Sequence, residues 1–400
     1  MHLLMFSWEY PPVIEGGLGR HVRKLAERLA ADGVEVHVIT RGGANLDPHE
    51  IRAGVVIHRV SEPPFPSDTA AFIDWVSHMN DDMAALATTL TKEIDFDLVH
   101  SHDWLVAGAA EQTARGADLK WLVTVHATEF GRHQGWVRQP PQSQIHAVER
   151  GMVRRADHVI TCSEYMRDHA CEVYGVSRQH ITAIPNGIDT ADLEPIETAD
   201  ELQELRAAYA APDELLVLMV GRLVYEKGFH LALEAIAPII AAGHTPVRYA
   251  VAGTGTAEQD LRAQAKALNL ERHGRFLGWV DDQTLDVLYT VADLAIVPSI
   301  YEPFGIVALE AMGAGCVCLV ADTGGLREVV PDDNTAGLRF HVGNAPALQA
   351  RLEQVLHDPS LRTRLKTEAR QHVLQFDWNE VAERTREIYA SLAARVPARS

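Results

Sequence analysis

Leu215-Leu216-Val217-Leu218-Met219-Val220 is apolar at every position. A strand built from it has no face to offer water, so helices must cover both sides. Comparable runs recur along the chain, and each is predicted to be a strand. In the first half they fall at 2–7, 34–40, 55–60, 97–101, 121–125, 157–162 and 180–184. In the second half they fall at 215–220, 247–252, 274–277, 293–298 and 316–321. Amphipathic segments lie between them. Val22, Leu25, Ala26 and Leu29 keep the spacing of one helix face, and Gly33 stands where that helix should end. Repeated strand–helix units imply parallel sheets with right-handed crossovers, an α/β chain. No internal repeat or low-complexity tract is evident.

With 400 residues the chain exceeds one ordinary core and suits two domains. Strand patterning lapses over 186–213, which opens with the turn dipeptide Asn186-Gly187 and continues through an acidic, proline-punctuated stretch. The expected domains are therefore 1–190 and 191–376. The last segment, from Asp377 as a helix N-cap through a helical pattern over 378–392, stands apart.

Composition excludes several classes. An apolar fraction of 47% and a charged fraction of 23% describe a globular chain. No apolar run approaches the ~20 residues of a membrane span. The start, Met1 to Ser7, lacks a basic leader region, and the expected location is cytoplasmic. Cys162, Cys171, Cys316 and Cys318 form no Cys-x-x-Cys pair, so reduced thiols and no cysteine-bound metal are expected. A net charge of −19 argues against a nucleic-acid partner. A chain this acidic must gather cations locally if it binds an anion. The oligomeric state is open.

Three constellations carry chemistry. Glu15-Gly16-Gly17-Leu18-Gly19-Arg20 lies between the first strand and the first helix. Its glycines allow close approach to a ligand, and a helix N-terminus favours negative charge, so it is either a phosphate cradle or a bare turn. It is neither a Walker loop nor a dinucleotide fingerprint. Gly221-Arg222-Leu223-Val224-Tyr225-Glu226-Lys227-Gly228 follows a strand, at the sheet edge where ligands bind. Arg222 and Lys227 are either an anion-binding pair or a solvated cluster with Glu226. In Glu302-Pro303-Phe304-Gly305-Ile306-Val307-Ala308-Leu309-Glu310-Ala311 the carboxylates are eight positions apart. That is about two helical turns, so both can share one side. Phe304, Gly305 and Ile306 are expected at the helix N-terminus, with N–H donors to spare. The alternative is a capped core helix with two incidental glutamates.

These elements, in this order and spacing, resemble the family 4 retaining glycosyltransferases. The resemblance extends to Pro185-Asn186-Gly187-Ile188-Asp189 and Thr323-Gly324-Gly325. Ser7-Trp8-Glu9-Tyr10-Pro11-Pro12, His102-Asp103-Trp104 and His126-Ala127-Thr128-Glu129-Phe130 resemble its glycogen synthase-like α-1,4-glucosyltransferases. The resemblance implies a GT-B fold, two Rossmann-like doubly wound parallel-sheet domains facing across a cleft. An acceptor-side domain, 1–190 plus a returning segment 377–400, would face a nucleotide-sugar donor domain, 191–376. It implies that the backbone of Gly16 and Gly17 meets the donor diphosphate, and that Arg222 and Lys227 neutralise it. Glu302 would touch the donor sugar, Phe304, Gly305 and Ile306 would offer backbone amides, and Glu310 would hold the ribose. His126 would lie beside the reacting sugar, with Asp103 on the acceptor side; a structural role is the alternative for His126. Asn186-Gly187 is taken as a hinge turn.

The expected activity is transfer of glucose, with retention, from ADP-glucose or UDP-glucose to an α-glucan, without metal or cofactor. The resemblance implies front-face attack, with the departing phosphate taking the acceptor proton. Transfer from GDP-mannose or another donor to a lipid or small acceptor is one alternative. A nucleotide-sugar epimerase and a catalytically idle nucleotide-sugar-binding protein are others. Asp95-Phe96-Asp97 matches the Asp-x-Asp of metal-using transferases but precedes a strand, the wrong end for the site. His100-Ser101-His102 is expected to pack or meet substrate rather than chelate.

Overall fold

The computed structural model describes residues 1–14, 16–43, 45–62, 65–66, 69–189 and 199–394. Glu15 of the glycine loop and the expected boundary at 190/191 lie outside the described residues. The chain forms two compact units, Met1–Gly187 with Trp378–Ser400, and Ile188–Asp377.

The first unit is built on β1 (His2–Phe6), β2 (Glu35–Arg41), β3 (His49–Arg52), β4 (Val55–Val60), β5 (Leu98–His102), β6 (Lys120–Val125), β7 (His158–Thr161) and β8 (Ile181–Ala183). The sheet order is β3-β4-β2-β1-β5-β6-β7-β8. Leu3 pairs with Val36 on one side and Leu98 on the other, both in parallel. The strand order thus reverses at β1/β5, which puts the loops after β1, β5 and β6 at one edge of the sheet.

Strand β3 departs from the all-parallel expectation. It pairs antiparallel with β4 through Ala53 and Gly54, both at positive φ, 49° and 81°. Two successive residues of that kind make the tight turn whose twist suits a hairpin. His49-Glu50-Ile51-Arg52 is largely exposed at the sheet edge, so it carries no apolar run to read.

The first helix, Gly17–Ala31, buries Val22, Leu25, Ala26 and Leu29 against the sheet, and Gly33 at φ 84° ends it. Trp378, Val381, Ala382, Tyr389 and Leu392 of the last helix, Trp378–Ala393, join the same core as Leu3, Met5 and Val22. Arg384 also donates to the Ala183 carbonyl, 2.7 Å. The C-terminal helix therefore completes the first unit.

The second unit has β9 (Leu215–Val220), β10 (Val247–Ala252), β11 (Gly274–Gly278), β12 (Leu294–Val297), β13 (Val317–Ala321) and β14 (Leu338–Phe340). All pair in parallel, in the order β11-β10-β9-β12-β13-β14. Leu216 to Met219 are fully buried, as two-sided apolarity requires. Here the order reverses at β9/β12, beside Gly221 and Pro298. Among the described residues no helix is long and apolar enough to cross a membrane.

Candidate active site

In the first unit the loop after β1 is shaped by Glu9. This buried carboxylate accepts the Gly16 N–H at 3.1 Å. A Cβ at Gly19 would sit 3.0 Å from the Glu9 Oε2 and 3.3 Å from Ile14, so bulk is excluded there. A Cβ at Gly16 would meet nothing within 4 Å, so that face of the loop is open. The helix opens at Gly17 with no acidic residue in its first turn, leaving the dipole's positive end without a carboxylate of its own helix. Gly16's amide is spoken for by Glu9; Gly17 begins the helix.

One turn further on, His21 meets the ends of β5 and β6. Its Nδ1 lies 2.8 Å from the Asn186 Oδ1, and its ring lies 4.7 Å edge-on to that of His126. The His102 Nδ1 is 3.1 Å from the His126 Nε2. Burial and neighbouring imidazoles hold His21 and His102 well below the usual histidine range, and burial with Arg132 nearby takes His126 down to about 3. All three rings are neutral at physiological pH.

Asp103 supports this cluster from behind. It stands at φ 61°, a strained value that clusters at functional sites. Its Oδ1 accepts the His126 N–H at 2.7 Å, and the Ala127 N–H also donates to this carboxyl. Burial pushes the Asp103 carboxyl up to about 6. Its side chain is thus turned onto the loop that carries His126. Glu149 anchors the next residues: its two oxygens take the Glu129 N–H at 2.8 and 3.0 Å, and the Tyr174 hydroxyl donates at 2.7 Å. Burial raises this carboxyl to about 8. Thr128 caps the short helix Glu129–Arg132, accepting the Gly131 N–H.

In the second unit, glycines let the strand ends crowd together. A Cβ at Gly253 would lie 1.9 Å from the Gly221 carbonyl oxygen, and one at Gly228 would lie 2.1 Å from that of Pro298. Against this frame the Lys227 Nζ donates to the Glu302 Oε2 at 2.7 Å, and the Ser299 hydroxyl reaches the same oxygen at 2.9 Å. Arg222, half-exposed, lies 3.6 Å from Glu226. The two cations are therefore each matched to a carboxylate rather than standing as a bare pair.

The helix after β12 begins at Ile306, with Gly305 as its N-cap at φ 106°. A Cβ at Gly305 would meet Leu326 at 2.4 Å. Glu302 precedes this turn, so Glu302 and Glu310 do not share one helix face, as their spacing alone would allow. Glu302 faces Lys227, whereas Glu310 accepts from the Tyr289 hydroxyl at 2.9 Å. The Phe304 side chain is buried, so its backbone alone is open to a ligand role. The Thr323-Gly324-Gly325 loop braces the segment: Gly325 donates to the Glu302 carbonyl at 2.9 Å.

Other expectations resolve simply. Asp97 accepts the His2 N–H at 2.8 Å, at the opposite strand end from the site. His100 is fully buried between Tyr389 and Thr124, at 2.7 Å from each hydroxyl. Sequence reasoning missed His21, Glu149, Ser299 and Tyr289. Of these only His21 left a trace, since it precedes Leu25 by four on the buried helix stripe.

Two family descriptions match the chain, Glycosyltransferase Family 4 over residues 15–192 and Glycosyl transferases group 1 over residues 202–372. The chain is 40% identical to glycogen synthase of Mycobacterium tuberculosis, over 99% of this chain and 95% of that one. It is 30% identical to alpha-maltose-1-phosphate synthase of the same organism, over 98% of this chain and all of the other. Sucrose-phosphate synthase from Thermosynechococcus elongatus superposes with a TM-score of 0.85 at 25% identity, covering 99% of this chain and 100% of that one. With two α/β units bearing these loops at the ends of their parallel strands, and relatives matched end to end, the chain belongs to family 4 of the retaining glycosyltransferases and has the GT-B fold.

Proposed function

We propose that this protein transfers glucose from ADP-glucose or UDP-glucose to an α-glucan, with retention and without a metal cofactor. The observation that carries the reading is 40% identity to a glycogen synthase across 99% of the chain. In this reading the second unit, residues 188–377, takes the nucleotide sugar and the first takes the acceptor.

Sugar transfer must stabilise a departing diphosphate and a positive anomeric centre. Lys227 and Arg222 are assigned to the diphosphate, together with helix N-terminal amides at Gly17 and at Phe304, Gly305 and Ile306. Gly16 contributes by leaving space. Glu302 is assigned to the donor sugar; its contact with Lys227 supports placing both at one end of the donor. Glu310 is assigned to the ribose, and its partner Tyr289 fixes its direction. His126 is assigned to the sugar's edge as a neutral donor or acceptor. Asp103 becomes its positioning residue, since its carboxylate holds the His126 amide. With the glutamates at different ends of the donor, double displacement between them does not arise. Attack occurs on the face from which the phosphate leaves, and that phosphate takes the acceptor proton.

A second reading, transfer to a small-molecule acceptor, is favoured by 30% identity to alpha-maltose-1-phosphate synthase. A panel of nucleotide sugars offered in turn with a malto-oligosaccharide and with a sugar phosphate, with the product linkage read by NMR, separates the two. An α-1,4-extended glucan formed from ADP-glucose or UDP-glucose, in the presence of EDTA, is the expected result. Dominant transfer from GDP-mannose would overturn the glucan assignment. Loss of activity in EDTA, restored by magnesium or manganese, would overturn metal independence.

A further inference from the structure

We propose that His21, His102 and His126 form a site for a transition-metal dication of the zinc type, and that an ion held there blocks sugar transfer. The inhibitory half of this proposal rests on the place given to His126 above; the binding half does not.

Each of the three residues offers a ring nitrogen, and these nitrogens all lie within 4.8 Å of one another. Zinc–imidazole bonds of ~2.0–2.1 Å in tetrahedral geometry place ligand atoms ~3.4 Å apart. The His102 Nδ1 and His126 Nε2 are already at 3.1 Å. Small ring rotations bring the third nitrogen in.

The ligand nitrogens are also set up by their surroundings. The amide oxygen of Asn186 can only accept, so the Nδ1 of neutral His21 carries the hydrogen and its Nε2 keeps the lone pair. This is the orienting contact that metal-bound histidines ordinarily have. Asp103 holds the backbone of His126 in the same way at one remove.

The chemistry selects the ion. Three imidazoles with no carboxylate suit zinc, copper or nickel and not magnesium, calcium or manganese. The site is thus distinct from the oxygen-ligated divalent ions that assist diphosphate departure in metal-dependent transferases. His21 and His102 are buried and His126 is half-buried, so the ion's remaining position opens on the His126 side. An ion there takes the lone pair of the residue that would otherwise meet the sugar.

The test begins with full-length protein stripped by chelator and dialysed. Zinc alone is titrated calorimetrically, and cobalt(II) is followed by the visible absorption that imidazole coordination in a tetrahedral field produces. Binding of a single ion is expected. His126→Ala, at the half-buried position, and His21→Ala should each weaken it more than tenfold. Asn186→Ala, which only frees His21, should weaken it about ten- to hundredfold. Melting curves confirm that each variant is folded. No binding by the stripped protein, or binding unchanged in both histidine variants, overturns the site. Zinc bound through these histidines while glucosyl transfer continues at full rate would uphold the site and overturn the place given to His126. Zinc that inhibits, with activity restored by EDTA, supports both.

Discussion

The Lys227 ammonium and the Glu302 carboxylate are 75 positions apart in the chain and 2.7 Å apart in space. Lys227 follows β9 and Glu302 follows β12, and these strands are neighbours in the second sheet. The ion pair is therefore a product of strand order. It places one positive and one negative group together at the strand ends, the pairing that the proposed nucleotide-sugar donor would call for.

Lys227→Ala is expected to lower kcat about a hundred- to a thousandfold, the effect of removing one preorganised donor from a developing anion. Glu302→Gln should likewise fall mainly on kcat. The double variant should lose less than the product of the two, because the residues share one contact. Donor-saturation kinetics on folded variants measure this; multiplicative losses would show that the residues act independently.

Glu310 contacts Tyr289 and sits on the helix beyond Gly305, so its loss should act on a different kinetic constant. Ribose contacts persist from bound substrate to transition state. Glu310→Gln is expected to raise the donor KM roughly ten- to hundredfold, the worth of a hydrogen bond to a charged group, with kcat little changed. Tyr289→Phe should do the same more weakly. A fall in kcat at unchanged KM would place Glu310 with Glu302 at the sugar.

Glu149 gives a stability signature. Its carboxyl rises from 4.5 to about 8 on folding, so between those values the folded chain holds more proton than the unfolded one. Stability from this group is then lost as pH rises toward 8. Asp103 and the depressed histidines also titrate differently on folding, but they are common to the parent and to Glu149→Gln and cancel in a comparison of the two. Between pH 6.5 and 8 the melting temperature of the parent should therefore decline relative to that of Glu149→Gln. The slope is at most ~1.4 kcal/mol per pH unit. Parallel melting profiles would show that Glu149 does not hold its proton in the folded state.

Tyr389→Phe is expected to destabilise the first unit by ~1–3 kcal/mol, because the His100 Nδ1 is fully buried and loses its partner. Thermal melting reads this, and donor KM should not move. An unchanged melting temperature would mean that His100 finds another partner.

Two-sided apolar runs made the strands legible, because a strand covered by helices on both faces has no polar position to disguise it. Strand β3 is polar and half-solvated, and β14 has three residues, so neither leaves that mark. The loops were legible for a related reason: Gly228, Gly253 and Gly305 stand where positive φ and close backbone approach admit nothing larger. The sequence also held the candidate groups themselves, from Arg222 and Lys227 to Glu310.

Tertiary structure decided which groups meet. Gly305 turns the chain before the helix begins, so Glu302 joins Lys227 and not Glu310. β1 pairs with β5 and β5 with β6, which brings His21, His102 and His126 to one point. Asn186, arriving after β8, fixes the ring of His21. Local pattern records whether a residue faces core or solvent, since that depends on its own element alone. Partnership depends on strand order, which is set by the packing of the whole sheet, and no local period carries it.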